Sequence, residues 1–174
     1  MRSLMGSVKI SVGLRSVRIV DVNKLKQLLA YDPLTGVFTR LRTGALADRQ
    51  HTDNYRAVKV GGGLYLSHRL AWLFVYGKWP AGEIDHVNGD RTDNRIQNLR
   101  VVTRAENNQN IRTAKRNNKS SGLLGVTHIL RNNKWRAQIM VARKKLHIGL
   151  YDSPQDAHNA YVETKRRLHA GCTI

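Results

Sequence analysis

Asp85 and His86 stand side by side, Asn98 follows His86 by twelve residues, and Asn107 follows Asn98 by nine. These residue types at this spacing could hydrolyse a phosphodiester. That reaction needs an activated water, positive charge against the non-bridging and leaving oxygens, and a scaffold that holds them in line. An imidazole titrating near about 6.5 is a suitable general base at neutral pH. A carboxylate and an amide oxygen are hard ligands suited to Mg²⁺ or Mn²⁺. Neighbouring residues on a strand point to opposite faces, so Asp85 and His86 can serve one spot only if the strand is distorted or the cation sits at its edge.

The elements that must position these residues can be read around them. Residues 83–87 read as a short strand, Asn88-Gly89 as a tight turn and residues 99–102 as a second strand. Thr103-Arg104-Ala105-Glu106 fits a capping box, which opens a helix and sets Asn107 just inside its first turn. Such a unit is too small to bury much core alone. It must lean on the apolar helix expected from Ser67, which caps it, through Leu70, Trp72 and Leu73 to the stop at Gly77 and Pro80. Upstream, residues 21–30 show helical spacing, residues 37–41 and 55–60 read as strands, and Gly61–Gly63 as a hairpin turn into 64–66. Residues 1–20 show no period and read as a disordered basic arm with no assigned function.

Residues 113–122 read as a basic linker and the domain boundary, which makes 21–112 one domain and 123–174 a second. In the second, residues 124–129, 135–141 and 146–151 are expected strands. Trp135, Ala137, Ile139 and Val141 alternate with Arg136, Gln138 and Met140, so Arg136 and Gln138 face outward. Ser153-Pro154 opens a helix whose inward stripe is Ala157, Ala160, Tyr161, Thr164 and Leu168.

Thirty Lys plus Arg against twelve Asp plus Glu give a net charge of +18 on 174 residues. The excess is spread over nearly the whole chain, as a protein lying along a polyanion requires. Residues 85–112 are the exception, with four acids, Asp85, Asp90, Asp93 and Glu106, where phosphates are expected to come; this suggests a cation among them. No apolar run approaches the about 20 residues of a membrane span, no secretory signal is visible, and one cysteine, Cys172, cannot form an intramolecular disulfide. A soluble protein of a reducing compartment is expected, meeting double-stranded DNA rather than a membrane.

Asp85-His86-Val87-Asn88-Gly89-Asp90, Asp93-Asn94, Asn98-Leu99-Arg100 and Asn107 resemble the HNH endonuclease motif in its phage homing-endonuclease form, where Asn replaces the last His. Tyr31-Asp32-Pro33-Leu34-Thr35-Gly36 and His68-Arg69-Leu70-Ala71-Trp72 resemble the lead-in of those proteins. Gly125-Val126, Lys134-Trp135-Arg136-Ala137-Gln138-Ile139, His147-Ile148-Gly149-Leu150-Tyr151 and Ala157-His158-Asn159-Ala160-Tyr161 resemble the APETALA-type, or ethylene-response-factor, DNA-binding domain. The fold implied is α+β: a small ββα-metal nuclease unit with N-terminal α/β support, then a three-stranded antiparallel sheet packed on one helix.

The resemblance further implies that His86 is the general base, that Asn98 braces its loop, and that Asp85 and Asn107 hold one divalent cation, Mg²⁺ or Mn²⁺. Arg100 and Asn94 would be supports. DNA contacts would come from Arg69 and Arg100, from Lys115, Arg116 and Lys119 of the linker, and from Arg131, Lys134, Arg136, Gln138, Arg143, Lys144 and Lys145 of the second domain, whose sheet would enter the major groove. A nicking homing endonuclease, a monomer or weak dimer in the cytoplasm of a bacterial or phage-infected cell, is the function implied. Two others stay open: a DNA-binding regulator that no longer cuts, and an RNA-binding protein. The remaining histidines, His68 the least certain, read as packed or solvated, and the runs 143–145 and 165–167 as solvated surface or phosphate contacts.

Overall fold

The computed structural model describes residues 21–114, 118 and 120–173; the expected basic arm and Lys115, Arg116 and Lys119 of the expected linker lie outside the described residues. α1 (Val22–Leu28) starts where the Asp21 carboxylate accepts the Asn23 N–H. It stops short of the expected residue 30 because β1 (Leu29–Tyr31) pairs antiparallel with β2 (Phe38–Arg40). The intervening turn is pinned by Asp32, which accepts the Leu34 N–H at 2.9 Å and the Thr35 hydroxyl at 2.7 Å.

β3 (Asp48–Gln50), β4 (Arg56–Val60) and β5 (Gly63–Leu66) form a second antiparallel sheet in that order. β3 was not expected, since Asp-Arg-Gln has no apolar alternation and is a strand only through its pairing with β4. β5 runs into α2 (Ser67–Tyr76). Ser67 is not the cap expected of it: Leu66 occupies the N-cap position, and the Ser67 hydroxyl lies fully buried in the first turn. Leu25, Leu29, Phe38, Val58 and Leu70 centre the first apolar core, all at most 1% exposed.

β6 (Glu83–His86) and β7 (Leu99–Val102) pair antiparallel, with Asp85 opposite Arg100 and His86 opposite Leu99. α3 (Arg104–Gln109) follows through the capping box: Glu106 accepts the Thr103 N–H and hydroxyl, both at 2.8 Å, and the Thr103 hydroxyl accepts the Glu106 N–H. This ββα unit gives Ile84 and Leu99 to the first core, so it does lean on α2 and its neighbours for burial.

β8 (Val126–Ile129), β9 (Lys134–Val141) and β10 (Lys144–Tyr151) form a third antiparallel sheet, with β9 central and α4 (Pro154–Leu168) packed across it. Val126, Ala137, Ile139, Ala157 and Tyr161 make a second core. Gly125 is required there, because a Cβ would stand 2.0 Å from the Tyr161 ring at a backbone φ of +78°. Arg136 and Gln138 alternate with the buried Ala137 and Ile139 and lie on the opposite face. The inward stripe of α4 differs from the expected one: Leu168 is 39% exposed, whereas Lys165 is 1% exposed. The Lys165 ammonium donates to the Ile111 carbonyl and lies over the Tyr161 ring, which removes it from the surface run expected at 165–167.

Candidate active site

β6 ends at the wall of an open cleft of about 760 Å³, whose lining includes Asp85, His86 and Asn107 together with Tyr55, Asn110 and Arg112. The strand alternation that seemed to separate Asp85 from His86 is reconciled at this end. His86 is the last residue of β6 and turns toward Asn94 and the rings of His68 and Tyr55. Asp85 turns toward Arg100 and Asn110.

The His86 ring is set by its partner. Asn94 is 1% exposed, and its Nδ2 donates to the Thr92 carbonyl at 3.1 Å, so its Oδ1 is the end that faces His86 Nε2, at 3.3 Å. An oxygen there requires a proton on Nε2 and leaves the lone pair on Nδ1. Burial, the dominant influence, lowers the pKa of His86, and the Asn94 bond opposes it more weakly. The neutral, base-competent imidazole is therefore favoured. His68 packs edge-on against His86 with ring centroids 5.2 Å apart, and its own pKa is pushed down to about 3 by burial.

Asn98 sits outside the cleft and ties the loop between the strands. Its Oδ1 accepts the Asn88 N–H at 2.9 Å, its Nδ2 donates to the Asp93 carbonyl at 2.8 Å, and its own carbonyl accepts the Val87 N–H. Asp93 pairs with Arg95, which holds its carboxyl below the usual range, and Asp90 accepts the Thr92 N–H and hydroxyl. Glu106 serves the helix cap. The four acids of 85–112 are thus not a cation cage, and among the described residues no three His, Cys, Asp or Glu side chains form a metal-holding group.

Asp85 is 7% exposed; Arg100 donates to its Oδ2 through Nε at 2.9 Å and Nη2 at 2.7 Å, and the Asn110 amide reaches both carboxylate oxygens at 3.0 Å. Asn107, in the first turn of α3, donates from Nδ2 to Glu83 Oε2 at 2.6 Å, which turns its Oδ1 away from that carboxylate. A carboxylate and an amide oxygen on one polar cleft fit a hard divalent cation completed by water and phosphate, and do not fit zinc.

The expected DNA contacts separate into groups. Arg100 is committed to Asp85 and to the Gly171 carbonyl at 2.7 Å, and Arg69 is half-buried and donates to the Gly82 carbonyl at 3.4 Å, so neither guanidinium is a simple surface cation. Lys134 pairs with Asp152. Arg136, Gln138 and Lys145 share the outer sheet face, since Lys145 stands opposite Met140 in the register; Lys144 stands opposite Val141 and alternates to the other face. Arg131 and Arg143 occupy the tips of the two hairpins. Sequence reasoning missed Tyr55, Asn110, Arg112 and Thr173 around the centre, and a second groove of about 410 Å³ lined by Arg40, Arg42 and Lys59 without any carboxylate. Only the position of His68, at the head of a helix beside the motif, signalled one of its neighbours.

This strand, strand and helix arrangement around an Asp-His pair is the architecture of a recognised class. Residues 65–109 match the HNH endonuclease family, and the chain belongs to that family. It is 30% identical over 103 residues to Protein 3.8 of Escherichia phage T7, an alignment covering 59% of this chain and 83% of that protein. Among solved structures it is similar to the HNH homing endonuclease I-HmuI, described for DNA binding and cleavage, with a TM-score of 0.37 and 24% identity over 44% of this chain and 47% of the other. The chain thus spans about half the length of that structure. No helix among the described residues is long and apolar enough to cross a membrane.

Proposed function

We propose that this chain is a DNA endonuclease that hydrolyses a phosphodiester bond in one strand of the duplex, with His86 as the general base. The observation that carries the reading is the meeting of Asp85, His86 and Asn107 on one cleft with the lone pair of His86 placed on Nδ1. In that state His86 Nδ1 can take the proton of an attacking water, and Asn94 keeps Nε2–H occupied while it does so. Asp85 and Asn107 would hold one divalent cation, Mg²⁺ or Mn²⁺, which when bound supplies positive charge to the scissile phosphate. Asn98 maintains the loop that carries Asn94, and Arg100 fixes the Asp85 carboxylate.

The C-terminal sheet is the proposed DNA-reading element of the APETALA type, presenting Arg136, Gln138 and Lys145 to the major groove. Lys115, Arg116 and Lys119 would follow the phosphate backbone between the two units. One centre per chain makes nicking by a monomer the simple outcome, and a homing role in a phage or its infected host cell agrees with the likeness to the phage protein.

The test is incubation of supercoiled plasmid and phage genomic DNA with wild type and His86→Ala, in Mg²⁺, Mn²⁺ or EDTA. Nicked product that requires both the cation and His86 is expected. Scission unchanged by His86→Ala would refute the assignment, and binding without scission in DNA holding a recognised site would favour the non-cleaving regulator.

A further inference from the structure

The segment that follows α4 returns to the cleft and touches both side chains that hold Asp85. Thr173 meets the Asn110 Oδ1 twice, with its N–H at 3.2 Å and with its hydroxyl at 2.5 Å, the hydroxyl's one proton having the Val87 carbonyl at 2.8 Å as its other acceptor. A primary amide has ends of nearly equal shape, so its orientation is set by what each end meets. The Thr173 N–H demands the oxygen end and the closer contact of the hydroxyl reinforces it, and this turns Asn110 Nδ2 onto Asp85, where it lies 3.0 Å from each carboxylate oxygen. Reversed, the amide would press its oxygen against the carboxylate. Arg112 locks the same corner, with Nη2 donating to the Val87 carbonyl at 2.7 Å, the Thr173 carbonyl at 3.0 Å and the Thr173 hydroxyl at 2.7 Å.

The other support is held in parallel. Arg100 Nη2 is shared between Asp85 and the Gly171 carbonyl, and the Gly171 N–H donates to Gln109 Oε1 at 3.0 Å. Gly171 lies so close to α3 that a Cβ would stand 2.5 Å from the Glu106 carbonyl oxygen. Groups that orient a metal-binding carboxylate commonly change metal affinity or activity by about 10- to 100-fold when removed.

We propose that Thr173 and Gly171 are positioning residues for Asp85, so that the segment trailing the C-terminal unit completes the nuclease centre. The inference rests on the reading of Asp85 as a cation ligand. It also couples the two units: the segment that follows the helix of the C-terminal sheet supplies the bonds that hold Asn110 and Arg100 on the carboxylate they orient.

The experiment compares the full chain with its Thr173→Val and Thr173→Ser variants. Mn²⁺ affinity is read from the electron paramagnetic resonance of the unbound ion, nicking rate from single turnovers over a Mg²⁺ series, DNA affinity in EDTA, and folding from thermal melts. Valine keeps the shape of threonine and removes the hydroxyl, whereas serine keeps the hydroxyl. In Thr173→Val, Mn²⁺ affinity and the Mg²⁺ midpoint should worsen by about tenfold, with DNA affinity within about twofold, and Thr173→Ser should restore both. Equal Mn²⁺ affinity in all three proteins would overturn the proposal, as would a loss in Thr173→Val that serine fails to restore. Failure of wild type to cut in any cation, alongside weakened Mn²⁺ binding in Thr173→Val rescued by serine, would instead sink the nuclease reading and leave the positioning role standing. Gly171→Ala supplies an independent variant, expected to weaken Mn²⁺ binding through Arg100.

Discussion

Asn94 decides which nitrogen of His86 is available, because its side-chain amide is committed at its nitrogen end to Thr92 while its backbone carbonyl is anchored by the Tyr31 hydroxyl at 2.7 Å. Replacing it by leucine keeps the volume and removes the acceptor, so Nε2–H loses its partner in a buried site and the two tautomers approach equal population. Asn94→Leu should lower the single-turnover nicking rate by about 10- to 100-fold with DNA affinity kept; a wild-type rate would show that the tautomer is fixed by something else. His68 makes a different prediction, on stability. Its folded pKa of about 3 lies below the ordinary value of 6.5, so between these values the unfolded chain binds a proton that the folded chain refuses. The stability it allows is complete above about pH 6.5 and drains away toward pH 3, at no more than about 1.4 kcal/mol per pH unit. Urea unfolding at pH 7.5 and 4.5 should therefore show a smaller acid loss in His68→Phe than in wild type, by about 2 kcal/mol. An equal loss in the two would mean that His68 is not the buried neutral group.

At the scale of elements, the turn joining β9 to β10 is built against its own chemistry. Ala142 and Arg143 sit at φ of +46° and +65°, the left-handed conformation that a two-residue hairpin requires and that glycine or asparagine supplies without strain. Left-handed backbone costs a residue with a Cβ about 1 to 2 kcal/mol, against about 0.4 to 1 kcal/mol of extra chain entropy for glycine. Arg143→Gly should therefore raise the melting temperature of the protein slightly while weakening DNA binding, and a drop in both would place the value of Arg143 in packing. The same turn shows where the sequence stops being legible. Period-2 alternation identified β9, and capping chemistry identified α3 and α4, because those signals are local. β3 and the early end of α1 came only from backbone pairing with the next strand, Arg49 with Ala57 and Ala30 with Thr39, which no side-chain pattern marks, and the buried Lys165 came from a carbonyl 54 residues away. The site divides likewise. Asp85, His86, Asn98 and Asn107 lie within one run of 23 residues and could be recognised by spacing. Tyr55, Asn110 and Thr173 reach the centre from loops and a tail whose contacts no short spacing encodes.

For the molecule as a whole, the proposed division of labour places chemistry in the first core's cleft and much of the affinity in a basic chain of net charge +18. Each phosphate contact removed should make the plot of log affinity against log salt shallower by about 0.9. Arg136 and Lys145 lie on the outer face of the C-terminal sheet, on the far side from Ala137 and Ile139, and neither forms part of the cleft. Arg136→Ala combined with Lys145→Ala should thus reduce the salt slope by nearly 2 and weaken binding to duplex DNA. At saturating DNA its nicking rate should stay within about twofold of wild type, because binding energy shared equally by ground and transition states does not alter the chemical step. Measuring both quantities on one protein separates the alternatives. An unchanged slope would remove the sheet from the DNA interface, and a lower saturated rate with a lower slope would show that the sheet's hold on DNA is transmitted to the centre through the segment that meets Asn110 and Arg100.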